Sequence, residues 1–109
     1  MDLGALQEKA NREITRFEDR VGNKDYDEIL FLYMSKITEE IGNLAASVLG
    51  KEGLQAEQPL SDSEVERTFA DSVYSIVILA QKMNINLDKV MADKIRLLEE
   101  EGFQEEEGL

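Results

Sequence analysis

The chain has 109 residues, enough for one domain around one core and too few for two. Its 24 acidic residues against 12 basic ones give a formal charge of -12, which sets it against polyanionic partners such as a nucleic-acid polymer or an anionic membrane surface. There is no Cys and no His, so thiolate and imidazole chemistry and the zinc sites built on them are excluded, and any metal is a hard cation bound by oxygen.

The apolar residues Leu3, Leu6, Ala10, Ile14, Phe17 and Val21 recur at steps of three and four, which predicts an amphipathic first helix over about 2–21. Gly22 and Asn23 end it. Asp25 with Glu28 has the spacing of a capping box, and Tyr26, Ile29, Leu30, Tyr33, Ile37, Ile41, Leu44 and Val48 mark a long second helix over 25–49, stopped at Gly50. On that helix Ile37, Ile41, Leu44 and Val48 form the expected core stripe, and Glu40 borders it in a narrow polar strip with Lys36, Asn43 and Ser47. Glu39 points nearly away from the core.

Residues 51–62 contain the only Pro and no apolar period, so a mobile loop is expected there. Ser61 with Glu64, or Ser63 with Glu66, caps a third helix over about 63–83. Phe69, Val73, Ile76, Ala80 and Met83 share one face of it, and from Val73 to Leu79 apolar residues encircle the axis. A helix apolar all round must be covered on every side, which predicts a dimer or higher homo-oligomer built on it. After a break at 84–86, Leu87, Val90, Met91, Ile95 and Leu98 give a fourth helix over 87–100. Residues 102–109 are expected as a disordered acidic tail beyond a single helical domain over 1–101. With no strand pattern, the fold class is all-α, a four-helix bundle. The longest apolar run, Ile76 to Ala80, is far short of a membrane span, and no secretory leader pattern is visible, so a cytoplasmic protein is expected.

Two carboxylates stand out. Glu40 lies at a core edge, where it either pairs with Lys36 at the i,i+4 spacing or serves a site. Asp71 lies opposite Phe69 and just before the all-apolar turns, so it needs a lysine, a hydroxyl or a cation, unless it is ordinary surface charge. Tyr33 and Tyr74, at helical spacing, suit the core or an interface, with stacking on a base as the alternative.

Order and spacing together carry a further reading. Lys36-Ile37-Thr38-Glu39-Glu40-Ile41-Gly42-Asn43-Leu44-Ala45, then the Pro-containing loop, then Phe69-Ala70-Asp71-Ser72-Val73-Tyr74-Ser75-Ile76-Val77-Ile78-Leu79-Ala80, then Met83-Asn84-Ile85-Asn86-Leu87 and Lys94, resemble the MazG-like all-α nucleoside triphosphate pyrophosphohydrolases over roughly residues 25–98. The resemblance implies Mg2+, or Mn2+, held by a Glu-x-x-Glu on one helix and a Glu-x-x-Asp on the next. It also implies a nucleoside triphosphate split to monophosphate and pyrophosphate in a MazG-like bundle, for which the all-apolar third helix makes a homodimer or homotetramer the expected assembly. The first Glu falls on Glu40 and the last Asp on Asp71, but Asn43 and Thr68 stand at the other two positions. That leaves two neutral oxygen donors where the family pattern has charges, with Glu39 and Glu64 as possible substitute acids. Lys94 matches a family position that approaches the phosphates and Lys36 a basic position one turn before the first Glu, while Leu98 stands where the family has an Asn. The expected function is a pyrophosphohydrolase with an altered ligand set, and the alternative is a catalytically weak or inactive nucleotide-binding or regulatory module. No catalytic residue is assigned.

Overall fold

A computed structural model describes residues 2–51 and 61–108. Among them are four helices and no strand: α1 (Leu3–Val21), α2 (Tyr26–Lys51), α3 (Asp62–Lys82) and α4 (Leu87–Gly108). Residues 52–60 of the expected loop lie outside the described residues.

Local chemistry sets the ends. Asp2 accepts from the Ala5 amide at 2.6 Å to start α1, and Gly22 ends it with φ of 81°, a positive value that a side chain disfavours. Asp25 accepts from the Glu28 amide at 2.9 Å ahead of α2. Of the two expected caps for α3, Ser61 is the one used, with both halves of its capping box formed by Glu64. Asn84, at φ 58°, turns the chain toward α4.

Two helix ends differ from expectation. Gly50 does not stop α2, which runs on to Lys51 with Gly50 buried in its last turn. The acidic residues 102–108, expected to be disordered, continue α4 as helix to Gly108. Their composition denies them a core, but Glu is a good helix former, and extending an existing helix avoids the cost of nucleating one.

The packing is consistent with a four-helix bundle in which α3 is central, meeting α2 along one side and α1 along another. Lys51 and Asp62 form an ion pair at 2.8 Å that joins the end of α2 to the start of α3. Glu18 on α1 accepts from Tyr33 of α2 at 3.2 Å and from Lys82 of α3 at 2.8 Å, so one carboxylate ties three helices. The buried Gln7 of α1 bonds both the Ile85 carbonyl, at 2.6 Å, and the Leu87 amide, at 3.0 Å. Asp88, in the first turn of α4, accepts from the Leu3 and Gly4 amides. These ties hold the N-terminal end of α4 against α1.

The core lies elsewhere than the apolar stripes suggest. Ala10, Ile29, Tyr33, Val77 and Ala80 are buried together with Gln7, Ser47, Ser72 and Ser75. Ile41 of the expected α2 stripe is exposed, as are Phe69, Val73, Ile76 and Met83 of the expected α3 face, where Ala80 alone is buried. The physical reason is size: serines and glycine on facing stripes let α2 and α3 approach closely, and the bulkier residues are turned outward. The radius of gyration is 17.6 Å, against about 13 Å for a compact chain of this length. Much apolar surface is therefore left uncovered, including Phe31 and Met34 on α2 and Val90, Met91, Ile95 and Leu98 on α4.

Candidate functional site

The seam between α2 and α3 is polar. The Ser47 and Thr68 hydroxyls lie 2.7 Å apart. Two turns back along α2 and one turn on along α3, the single proton of the Ser72 hydroxyl is within reach of the Glu40 carbonyl at 3.2 Å and of its own helix's Thr68 carbonyl at 2.9 Å. Ser75 donates to the Ser72 carbonyl at 2.8 Å. The cross-helix ties at 40 with 72 and 47 with 68 fix an antiparallel register, and that register brings residues 43 and 71 level between them. The four positions to which the resemblance assigns a metal therefore share one stretch of one helix pair.

Their side chains are not equally placed. Glu40 is half-buried, with its side chain 12% exposed, and its Oε1 lies 2.9 Å from Lys36 Nζ. Lys36 also reaches Glu39 at 3.6 Å. The hydrogen bond to Glu40 is the largest influence raising the Lys36 ammonium above its ordinary range. Thr68 is half-buried and its hydroxyl is engaged by Ser47 and by the Val65 carbonyl, while Asn43 and Asp71 are exposed at the seam's edge. Of the possible substitute acids, Glu39 is exposed beside Lys36. Glu64 closes the α3 capping box through its carboxylate at 2.9 Å from the Ser61 amide. Lys94 is exposed on α4, whose principal packing partner is α1.

The donor set suits a hard divalent cation in kind, with carboxylate, amide and hydroxyl oxygens. In charge it is sparse: among the described residues no group of three or more acidic side chains is gathered, and Lys36 is already seated on one of the two carboxylates.

Next to Lys36 the seam opens into a cavity of about 490 Å³ between α1, α2 and α3, lined by Arg16, Phe17, Arg20, Tyr33 and Ser75 among others. The two arginines escaped the sequence reading. Their i,i+4 spacing around Phe17 was a usable signal in so acidic a chain. Tyr33 proves to be core, its ring 5.0 Å from that of Phe17 and its hydroxyl on Glu18.

Among the described residues no helix is long and apolar enough to cross a membrane. Compared with protein-family models, with curated proteins and with solved structures, the chain matches none.

Proposed function

We propose that this chain is a MazG-related protein that acts on nucleoside triphosphates, hydrolysing them to nucleoside monophosphate and pyrophosphate with Mg2+, or Mn2+, and an altered ligand set. The observation that carries this reading is the α2–α3 register, which ties 40 to 72 and 47 to 68 and so sets 43 level with 71, with 40 and 68 about a turn to either side. Glu40 and Asp71 would hold the metal, assisted by the Asn43 carbonyl and the Thr68 hydroxyl. When bound, the metal supplies neutralisation of the phosphates and an activated water. Lys36 offers its ammonium to a phosphate oxygen at the cost of its pairing with Glu40, while Lys94, on α4 and away from the α2–α3 seam, would add a second phosphate cation only from another copy. The uncovered apolar faces of α2, α3 and α4 suit a homodimer or homotetramer, in which a second copy can also complete the ligand set.

The deciding experiment is pyrophosphate release from a panel of ordinary and modified nucleoside triphosphates with Mg2+ or Mn2+, comparing the parent with Asp71→Asn. Release by the parent alone supports the reading; release undiminished in the variant removes Asp71 from the site.

A second reading, a nucleotide-binding or regulatory module without turnover, is favoured by the Lys36–Glu40 pair at 2.9 Å, which puts a tethered cation on the first metal position. It predicts a melting temperature that rises with nucleotide while no product forms. Melts that stay fixed with every nucleotide tested would count against it.

A further inference from the structure

The cavity beside Lys36 reverses the sign of the molecule. The whole chain carries -12, yet Arg16, Arg20 and Lys36 line this cavity against one acid, Glu13. The arginines lie one helical turn apart on α1, on either side of Phe17. Arg20 stands over the Phe17 ring at 5.7 Å, and Arg16 has only a 4.0 Å contact with Glu13, with its own side chain 69% exposed. Their guanidinium donors are therefore largely unspent, whereas Lys36 is held by Glu40 and Glu39.

The floor is aromatic. Phe17 and Tyr33 meet with ring planes 39° apart, and the buried Ser75, whose proton goes to the Ser72 carbonyl, keeps lone pairs free to accept. About 490 Å³ falls within the size of small-ligand pockets, about 300–1,000 Å³, and an apolar wall with a few convergent polar groups is their usual make-up. Paired arginines match phosphate oxygens by forked geometry without a metal.

We propose that this cavity is a metal-independent site for a small aromatic phosphate of the nucleoside monophosphate class, its phosphate on Arg16 and Arg20 and its ring against Phe17 and Ile78, which also lines the cavity. The site uses none of the proposed metal positions and shares only the lining residue Lys36 with the hydrolytic reading; its binding is read without divalent cations and through Arg16 and Arg20, so it stands or falls separately.

The test is calorimetric titration of the full chain with adenosine monophosphate in excess EDTA, with adenosine and inorganic phosphate as partial probes. Binding is expected for the monophosphate and weaker binding for either part. Arg16→Ala with Arg20→Ala should weaken it at least about tenfold, the loss of charge-assisted hydrogen bonds. Removing two cations elsewhere, with Lys89→Ala and Arg96→Ala, should leave it unchanged. If the arginine pair variant does not fold by circular dichroism, Arg16→Gln alone is the comparison, its exposed position sparing the core. No monophosphate binding at millimolar concentration, binding equal to that of adenosine, or binding indifferent to the arginines would each overturn the proposal.

Discussion

The hydroxyls of Ser47 and Thr68 meet at 2.7 Å across the α2–α3 seam while each also lies within reach of a carbonyl on its own helix, Leu44 at 3.0 Å and Val65 at 2.8 Å. Two protons serve three bonds, so when one hydroxyl donates across the seam it gives up its own-helix carbonyl. Thr68→Val and Ser47→Ala should each cost about 1 kcal/mol, with a coupling of about 0.5–1 kcal/mol in the double-mutant cycle measured by urea unfolding. Ser47→Leu should cost more, about 1–3 kcal/mol, because bulk must enter a close helix contact. Strict additivity of the first pair would show that the hydroxyls do not bond each other in solution.

Alkaline pH should loosen the helix trio. Burial, with the Glu18 carboxylate beside it, pushes the Tyr33 phenol above its ordinary 10.0, and Lys36 and Tyr74 are raised as well. A raised folded value means that the unfolded chain loses its proton first. The contribution is whole below about pH 10 and is lost as pH climbs toward the folded value. Melting temperature should therefore be level near pH 8 to 9 and fall above about pH 10. Tyr33→Phe should lower stability by about 1 kcal/mol at neutral pH through the lost bond to Glu18, yet flatten the alkaline decline. Equal slopes for parent and variant would remove Tyr33 as a cause.

At the other end of the bundle, a Cβ on Gly4 would come 2.8 Å from Asp88 Oδ2, the oxygen that accepts from the Gly4 amide at 3.0 Å. Gly4→Ala should displace that carboxylate, and Asp88→Ala should remove it. Both should speed hydrogen exchange along α4 while leaving α2 protected, at a global cost of no more than about 1 kcal/mol because the contact is exposed. Exchange that accelerates equally in α2 would mean that α4 unfolds only with the whole.

The uncovered α3 face is where a second copy should pack. Val73 and Ile76 are half exposed, and a charge there meets only water in a lone chain. Ile76→Lys should lower the sedimentation coefficient from that of an oligomer to that of a monomer while leaving the helical signal of the folded chain in place. A parent that already sediments as a monomer would remove the proposed assembly.

Helix number, order and most boundaries were legible because local signals fix them: Ser61 with Glu64, Asp25 with Glu28, and the apolar steps of α1. The inward faces of α2 and α3 were not. Periodicity assigns the largest apolar residues to the interior, and Ile41, Phe69, Val73 and Ile76 break that rule here. Small polar residues at steps of four and three, Thr68, Ser72 and Ser75, mark the true contact, a weak pattern beside so many branched side chains. The candidate positions Glu40, Asn43, Thr68 and Asp71 came as a set from the resemblance and not from periodicity, and the register of α2 against α3 puts them on one stretch. The Lys36–Glu40 pairing was visible as an i,i+4 spacing, but its 2.9 Å closeness depends on the half-buried setting of Glu40. The i,i+4 spacing of Arg16 and Arg20 around Phe17 was readable in α1, but the cavity they line depends on three helices meeting.

A seam of serines inverts the usual tolerance of a helical protein to changes in side-chain volume. Trimming Ser72 to alanine gives up one cross-helix bond, about 1 kcal/mol, whereas enlarging it forces two backbones apart. On the outside, where Phe31, Ile76 and Ile95 stand, trimming should hardly disturb the single chain. Random substitution should therefore injure folding mostly by addition of bulk, and a map of tolerated sizes along α3 would show a narrow ceiling at every third or fourth residue, with freedom between.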